Sequence, residues 1–133
     1  MSEKQLTNAY FIGGQNAISD KVISDIDKIT TEDVTKNRVA GKDRADTNAK
    51  VIARFYPDAN LNSVLVAKSD VLVDALTAGP LASKLQSPVV LMGSNGLSQE
   101  QSASLSGKKS PKVYQIGGGI NFKSVDKLVD TLK

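Results

Sequence analysis

The sequence predicts an α/β fold, a mostly parallel five-stranded sheet with helices on both faces in an open three-layer, Rossmann-like or flavodoxin-like order. Three observations lead there. Short apolar runs bounded by Gly, Pro or Ser alternate with longer stretches of helical spacing. The runs place Val, Ile and Leu on successive positions, as strands buried on both faces do. Each run joins the next through a helix, and right-handed crossovers then leave a parallel order. A length of 133 residues is enough for one core without disulfides, so a single domain is expected.

Taken in order, residues 1–8 read as a disordered or appended tail. The first strand covers 9–12 and ends at Gly13-Gly14. A helix follows over 19–29, with Ser19 as its N-cap and Val22, Ile26 and Ile29 on one face. The second strand, 38–41, leads to a helix over 45–56 whose stripe includes Ala49, Ile52, Phe55 and Tyr56, and Pro57 stops it. A third strand over 63–67 precedes a helix over 73–85 that is apolar almost all round. That helix is expected to be the most buried, kinked at Gly79-Pro80, with Asp74 capping its first turn. The fourth strand, 88–92, feeds a helix over 98–105 opened by a Ser98 and Gln101 capping box. The fifth strand covers 112–116, and the last helix starts near Asn121 with Val125, Leu128, Val129 and Leu132 facing inward.

Composition removes several chemistries. The chain has no cysteine and no histidine, which excludes disulfides, thiolate metal sites, a cysteine nucleophile and an imidazole general base. Asp70 and Asp74 offer carboxylates, yet no second acid stands at a defined separation, and no enzyme activity is expected. No apolar run reaches the roughly 18 residues of a membrane span, and residues 1–8 lack the apolar core of a signal peptide. Charge is divided unevenly. Residues 1–34 carry three lysines against six acids, −3, and the remainder fourteen basic residues against eight acids, +6. The basic segment suits acidic partners.

Ligands of such folds gather at the carboxyl ends of the strands. There, Arg38-Val39-Ala40-Gly41-Lys42-Asp43-Arg44 places Lys42, Asp43 and Arg44 together, with Arg44 suited to a two-pronged contact with phosphate or carboxylate. The competing arrangement is internal, with Asp43 or Asp46 neutralising Arg44 and Lys50. Ser94 and Asn95 offer neutral donors after the fourth strand. The glycine pairs fit no dinucleotide fingerprint, and no phosphate-loop Gly-Lys-Ser is present. One pentapeptide recurs. Tyr10-Phe11-Ile12-Gly13-Gly14 returns 104 residues later as Tyr114-Gln115-Ile116-Gly117-Gly118, each time before a helix. This is the pattern of a tandem array with a copy boundary inside the chain, or else of two similar βα units in one sheet.

The ordered set of residues 38–44, Val64 to Ala67, Asp74-Ala75-Leu76 with Gly79-Pro80-Leu81-Ala82, Ser87-Pro88-Val89-Val90-Leu91-Met92 and Val113-Tyr114-Gln115-Ile116-Gly117-Gly118 resembles the clostridial cell wall binding repeat of type 2. The resemblance covers 38–133 and departs where an aromatic residue usually follows the motif arginine, since Ala45 stands here. It implies a non-catalytic, secreted anchoring module of Gram-positive surface-layer and cell wall proteins, with 9–34 as the closing βα unit of a preceding repeat and 35–133 as one repeat. The implied partners are an anionic wall polysaccharide and neighbouring copies in pseudo-trimeric or homo-oligomeric packing, with no nucleic acid and no membrane insertion. Any catalysis would belong to another domain, such as a peptidoglycan hydrolase. Candidate ligand-binding residues are Arg38, Lys42, Asp43, Arg44, Asp74, Ser94 and Asn95; no metal or cofactor is expected. The rival readings are a receiver-like signalling domain, which would need an acidic pair after the first strand, and a small nucleotide-binding domain.

Overall fold

Apolar runs and helical stretches alternate along the computed structural model, which describes residues 6–133. The order is β1 (Phe11–Ile12), α1 (Asp20–Asp27), β2 (Arg38–Val39), α2 (Arg44–Phe55), β3 (Val64–Lys68), α3 (Leu72–Leu85), β4 (Val89–Met92), α4 (Gln99–Leu105), β5 (Val113–Gln115) and α5 (Phe122–Thr131). The expected tail over 1–8 lies outside the described residues as far as residue 5. Residues 6–8 are tied down: Leu6 bridges Thr30, and Asn8 accepts from the Asn37 side chain at 2.7 Å.

All pairings between these strands are parallel, but the expected single five-stranded sheet is divided in two, β1-β2 and β4-β3-β5. The central strand β3 is the core of the molecule, with Val64, Leu65, Val66 and Ala67 fully buried. What closes its sheet beyond β4 is a side chain. Asn48 of α2 donates to the Val89 carbonyl at 2.8 Å and accepts from the Leu91 N–H at 3.1 Å, mimicking the backbone of a further strand. Gln101 of α4 completes the edge, donating to Asn48 at 2.9 Å and to the Leu91 carbonyl at 2.6 Å. Both amides are buried, and each of their oxygens and nitrogens has a hydrogen-bond partner. The strand β2 therefore pairs only with β1, in the register Phe11↔Arg38 and Ile12↔Val39.

One face of the larger sheet packs Val64, Val66, Val90 and Met92 against Ile52 of α2, Leu105 of α4 and Leu128 of α5. The other face lays Leu65 against Ala78 and Ala82 of α3. Phe11, Ile23 and Val34 form a small separate core for β1, β2 and α1. On α1 the buried residue is Ile23, whereas Val22 and Ile29 of the expected face are exposed. A larger difference concerns α3, which buries only Ala78 and Ala82: Leu72, Val73 and Leu76 are 71, 68 and 65% exposed. Small residues bring this helix close to β3, but among the described residues no other element covers its outer side. It runs unbroken through Pro80 to a left-handed C-cap at Gln86 (φ 49°). Its N-cap is Val71, with no side-chain cap, so Asp74 does not cap it and its carboxylate lies instead against Gly117.

Beyond the end of α2, Lys108 is only 8% exposed, and its ammonium donates to the carbonyls of Tyr56 at 2.7 Å and Asp58 at 3.1 Å. A cation suits that helix end, where carbonyls lack partners.

Candidate functional site

Three helices open towards the carboxyl ends of β3, β4 and β5, each with a polar cap. Asp43 accepts from the Asp46 N–H at 2.8 Å at the start of α2. Ser98 and Gln101 form the reciprocal capping box of α4, as their spacing predicts. Asn121 accepts from the Lys123 N–H at 3.0 Å at the start of α5. Between these caps run the loop after β3 and the tight turn after β4, closed by a Gly96 N–H to Gly93 carbonyl bond of 3.0 Å.

Two adjoining cavities lie there. One, about 300 Å³, is lined by Arg44, Ser69, Ser94, Asn95 and Ser98. The other, about 530 Å³, is lined by Lys68, Asp70, Ser94, Asn121, Phe122 and Lys123. Ser94 belongs to both, so a basic side chain stands on either side of it: Arg44 in one cavity, Lys68 and Lys123 in the other. A third cavity of about 630 Å³, lined by Ile12, Val51, Ala75, Leu76, Val89 and Leu91, is apolar and meets Asp43 and Arg44 as its charged groups.

Arg44, Ser94 and Asn95 are brought together; the other candidate residues go elsewhere. Arg38 is a clamp, its guanidinium donating to the carbonyls of Gly13 at 2.7 Å and Ile18 at 2.6 Å and pairing with Asp20 at 3.0 Å. Asp74 lines neither polar cavity. Lys42 pairs with Glu100 of α4. Their hydrogen bond, then their mutual charge, raises the Lys42 pKa, and the same bond lowers that of Glu100. Both remain charged across neutral pH. The alternatives left by the sequence are separated as well. Asp46 pairs with Lys50 at 3.6 Å and accepts the Lys42 N–H at 2.9 Å, while Asp43 serves as the cap. Among the described residues, Arg44 has no carboxylate partner; its guanidinium donates only to the Ser69 carbonyl, at 3.2 Å. In an exposed position it is available to an anion.

Lys68, Lys123 and Phe122 escaped sequence reasoning, although each had a signal. Lys68 is the last residue of β3, and Phe122 and Lys123 directly follow the predicted cap Asn121. Phe122 is 69% exposed and lines the second cavity beside Lys123.

Gly41 positions the start of α2. A side chain there would run into the Asp46 carboxylate and the Asp46 backbone at 2.7 Å. Gly41→Ala is expected to lower stability by roughly 1–3 kcal/mol, through overpacking and disruption of the Asp46 to Lys42 contact. Urea denaturation followed by circular dichroism measures it, and an unchanged midpoint would show that the loop yields freely.

The model of the family described as cell wall binding domain 2 matches residues 38–124. Among solved structures, Cwp6 from Clostridium difficile matches with a TM-score of 0.89 and 45% identity over 96% of this chain and 20% of that one. Cwp8 from Clostridium difficile matches with a TM-score of 0.75 and 36% identity over 90% of this chain and 21% of that one. An uncharacterised protein of Pyrococcus abyssi is 30% identical over 122 residues, 91% of this chain and 35% of that protein. The chain thus spans about a fifth of the two solved structures and about a third of the archaeal relative.

Proposed function

The chain belongs to the cell wall binding domain 2 family, and from that premise we propose that it holds an anionic wall polysaccharide noncovalently at the bacterial surface. The family is a binding family and not a catalytic one, so retention without turnover is the activity to explain. The carrying observation is Arg44, which faces a cavity with Ser94 and Asn95 and has no carboxylate partner among the described residues. A chain of anionic sugars would lay one charged group on Arg44, hydrogen-bond Ser94 and Asn95, and continue past Ser94 to Lys68 and Lys123. Phe122 would offer its ring to a sugar face. Lys42 and Asp43 set the edges of the site through Glu100 and the α2 cap.

Neighbouring copies of the repeat would cover the exposed Leu72, Val73 and Leu76, whose apolar area a tandem or pseudo-trimeric arrangement removes from water. In that arrangement residues 9–34 close a preceding copy and residues 35–133 form the next. The parent protein would be secreted, and its effector chemistry would reside in another domain.

The test is sedimentation with purified walls, intact or stripped of anionic polymer, at low and high salt. Binding to intact walls is expected to fall as the screening length shrinks from about 30 Å at 0.01 M to about 3 Å at 1 M salt, and to be absent from stripped walls. Equal retention on both wall preparations overturns the reading.

A further inference from the structure

The recurring pentapeptide is paired in one place and open in the other, on the same side. In β1 the N–H groups of Phe11 and Gly13 donate to the carbonyls of Asn37 at 3.0 Å and Val39 at 2.9 Å, so these alternate residues face β2. In β5 the Val64 N–H donates to the Lys112 carbonyl at 3.0 Å and the Ile116 N–H to the Val66 carbonyl at 2.8 Å, so residues 112, 114 and 116 face β3. Val113, Gln115 and Gly117 turn their backbone groups outward. By the repeat, Gln115 corresponds to Phe11 and Gly117 to Gly13. Among the described residues, the groups that β2 satisfies in β1 are thus the ones left open in β5, which is an edge strand of its sheet.

We propose that the outer edge of β5 receives the β2 segment of a following copy of this chain, in the register Gln115↔Arg38 and Ile116↔Val39. The sheet is then completed between copies, in the order β4-β3-β5-β2. The tandem-copy reading above underlies this inference, and β1 with β2 supplies its template: the chain already holds one example of the joint. Charge agrees with it. Arg38 donates to the Gly13 carbonyl at 2.7 Å, so an incoming Arg38 reaches the corresponding carbonyl of Gly117, where the Asp74 carboxylate lies. Asp74 thereby becomes a contact between copies. The opposite edge of the larger sheet accepts no strand, because Asn48 and Gln101 close it.

The experiment uses the full chain with residues 30–47 of a second copy appended after Lys133, compared with the unextended chain by residue-resolved hydrogen exchange. The Gln115 and Gly117 amides are expected to exchange quickly in the unextended chain and about 100-fold more slowly in the extended one, while Ile116 and Val66 are protected in both. Val39→Pro, placed only in the appended segment, removes a ladder donor without touching the rest of the fold, and protection is expected to be lost. Equal exchange of Gln115 and Gly117 with and without the extension overturns the inference, as does protection that survives the proline. Wall sedimentation of the same extended chain keeps the two readings apart: protected amides with no preference for anionic polymer would overturn the polymer and leave the joint standing.

Discussion

Asn48→Ala is expected to lower the unfolding free energy by roughly 2–4 kcal/mol. The side chain is buried and does the work of a strand, donating to Val89 and accepting from Leu91 at the edge of β4. Its oxygen also receives the Gln101 amide. Truncation would leave the Val89 carbonyl and the Leu91 N–H without partners and take from the Gln101 amide one of its two acceptors, and leaving a buried polar group unsatisfied costs roughly 1–3 kcal/mol. Relaxation of α2 towards β4 keeps the total below the sum. Urea denaturation of the variant beside wild type measures the difference, with an unchanged slope expected because the surface exposed on unfolding is the same. A loss under roughly 1 kcal/mol would mean that water replaces the amide and that the edge is less dry than its burial implies.

Arg44→Ala is expected to weaken retention on intact walls by about tenfold or more, since a charge-assisted hydrogen bond contributes roughly 1.5–3 kcal/mol. Lys42→Ala is expected to cost less than about threefold, because its ammonium is already engaged by Glu100 and an exposed pair contributes little. Acid narrows the gap between the two basic residues. Glu100 has a lowered pKa, so it stays charged until the pH falls below the ordinary carboxylate range, and only there is Lys42 released. Sedimentation of both variants at neutral pH decides the order, with circular dichroism confirming that both are folded. If Lys42→Ala proved the more damaging, the polymer would lie along α4 and not in the cavities beside Ser94.

The alternation of strands and helices was legible because Val64 to Ala67 and Val89 to Met92 are strand-length apolar runs, and parallel pairing followed from their helical connections. The division into two sheets was not. It depends on Asn48, one polar residue in an otherwise ordinary helix, acting as backbone for β4 across 41 and 43 residues of sequence. Arg38 looked like a ligand residue for a related reason: its partners at Gly13 and Ile18 are carbonyls, which leave no mark in a side-chain pattern. That Arg44, Ser94 and Asn95 share a cavity could be expected because the fold class places them at strand ends. The exposure of α3 was hidden because apolar composition signals burial without naming the molecule that provides it.

Lys108 carries a consequence for chemical labelling. Most of the other lysines project into solvent, whereas this amine is enclosed beneath the end of α2 with its protons held by two carbonyls. An amine-directed acylating reagent would modify it last, and its reaction would wait on the opening of the α2 terminus. The fraction of chains acylated at Lys108 therefore counts opening events, which makes this residue a reporter of unfolding that can be read by mass spectrometry while the module is attached to a wall.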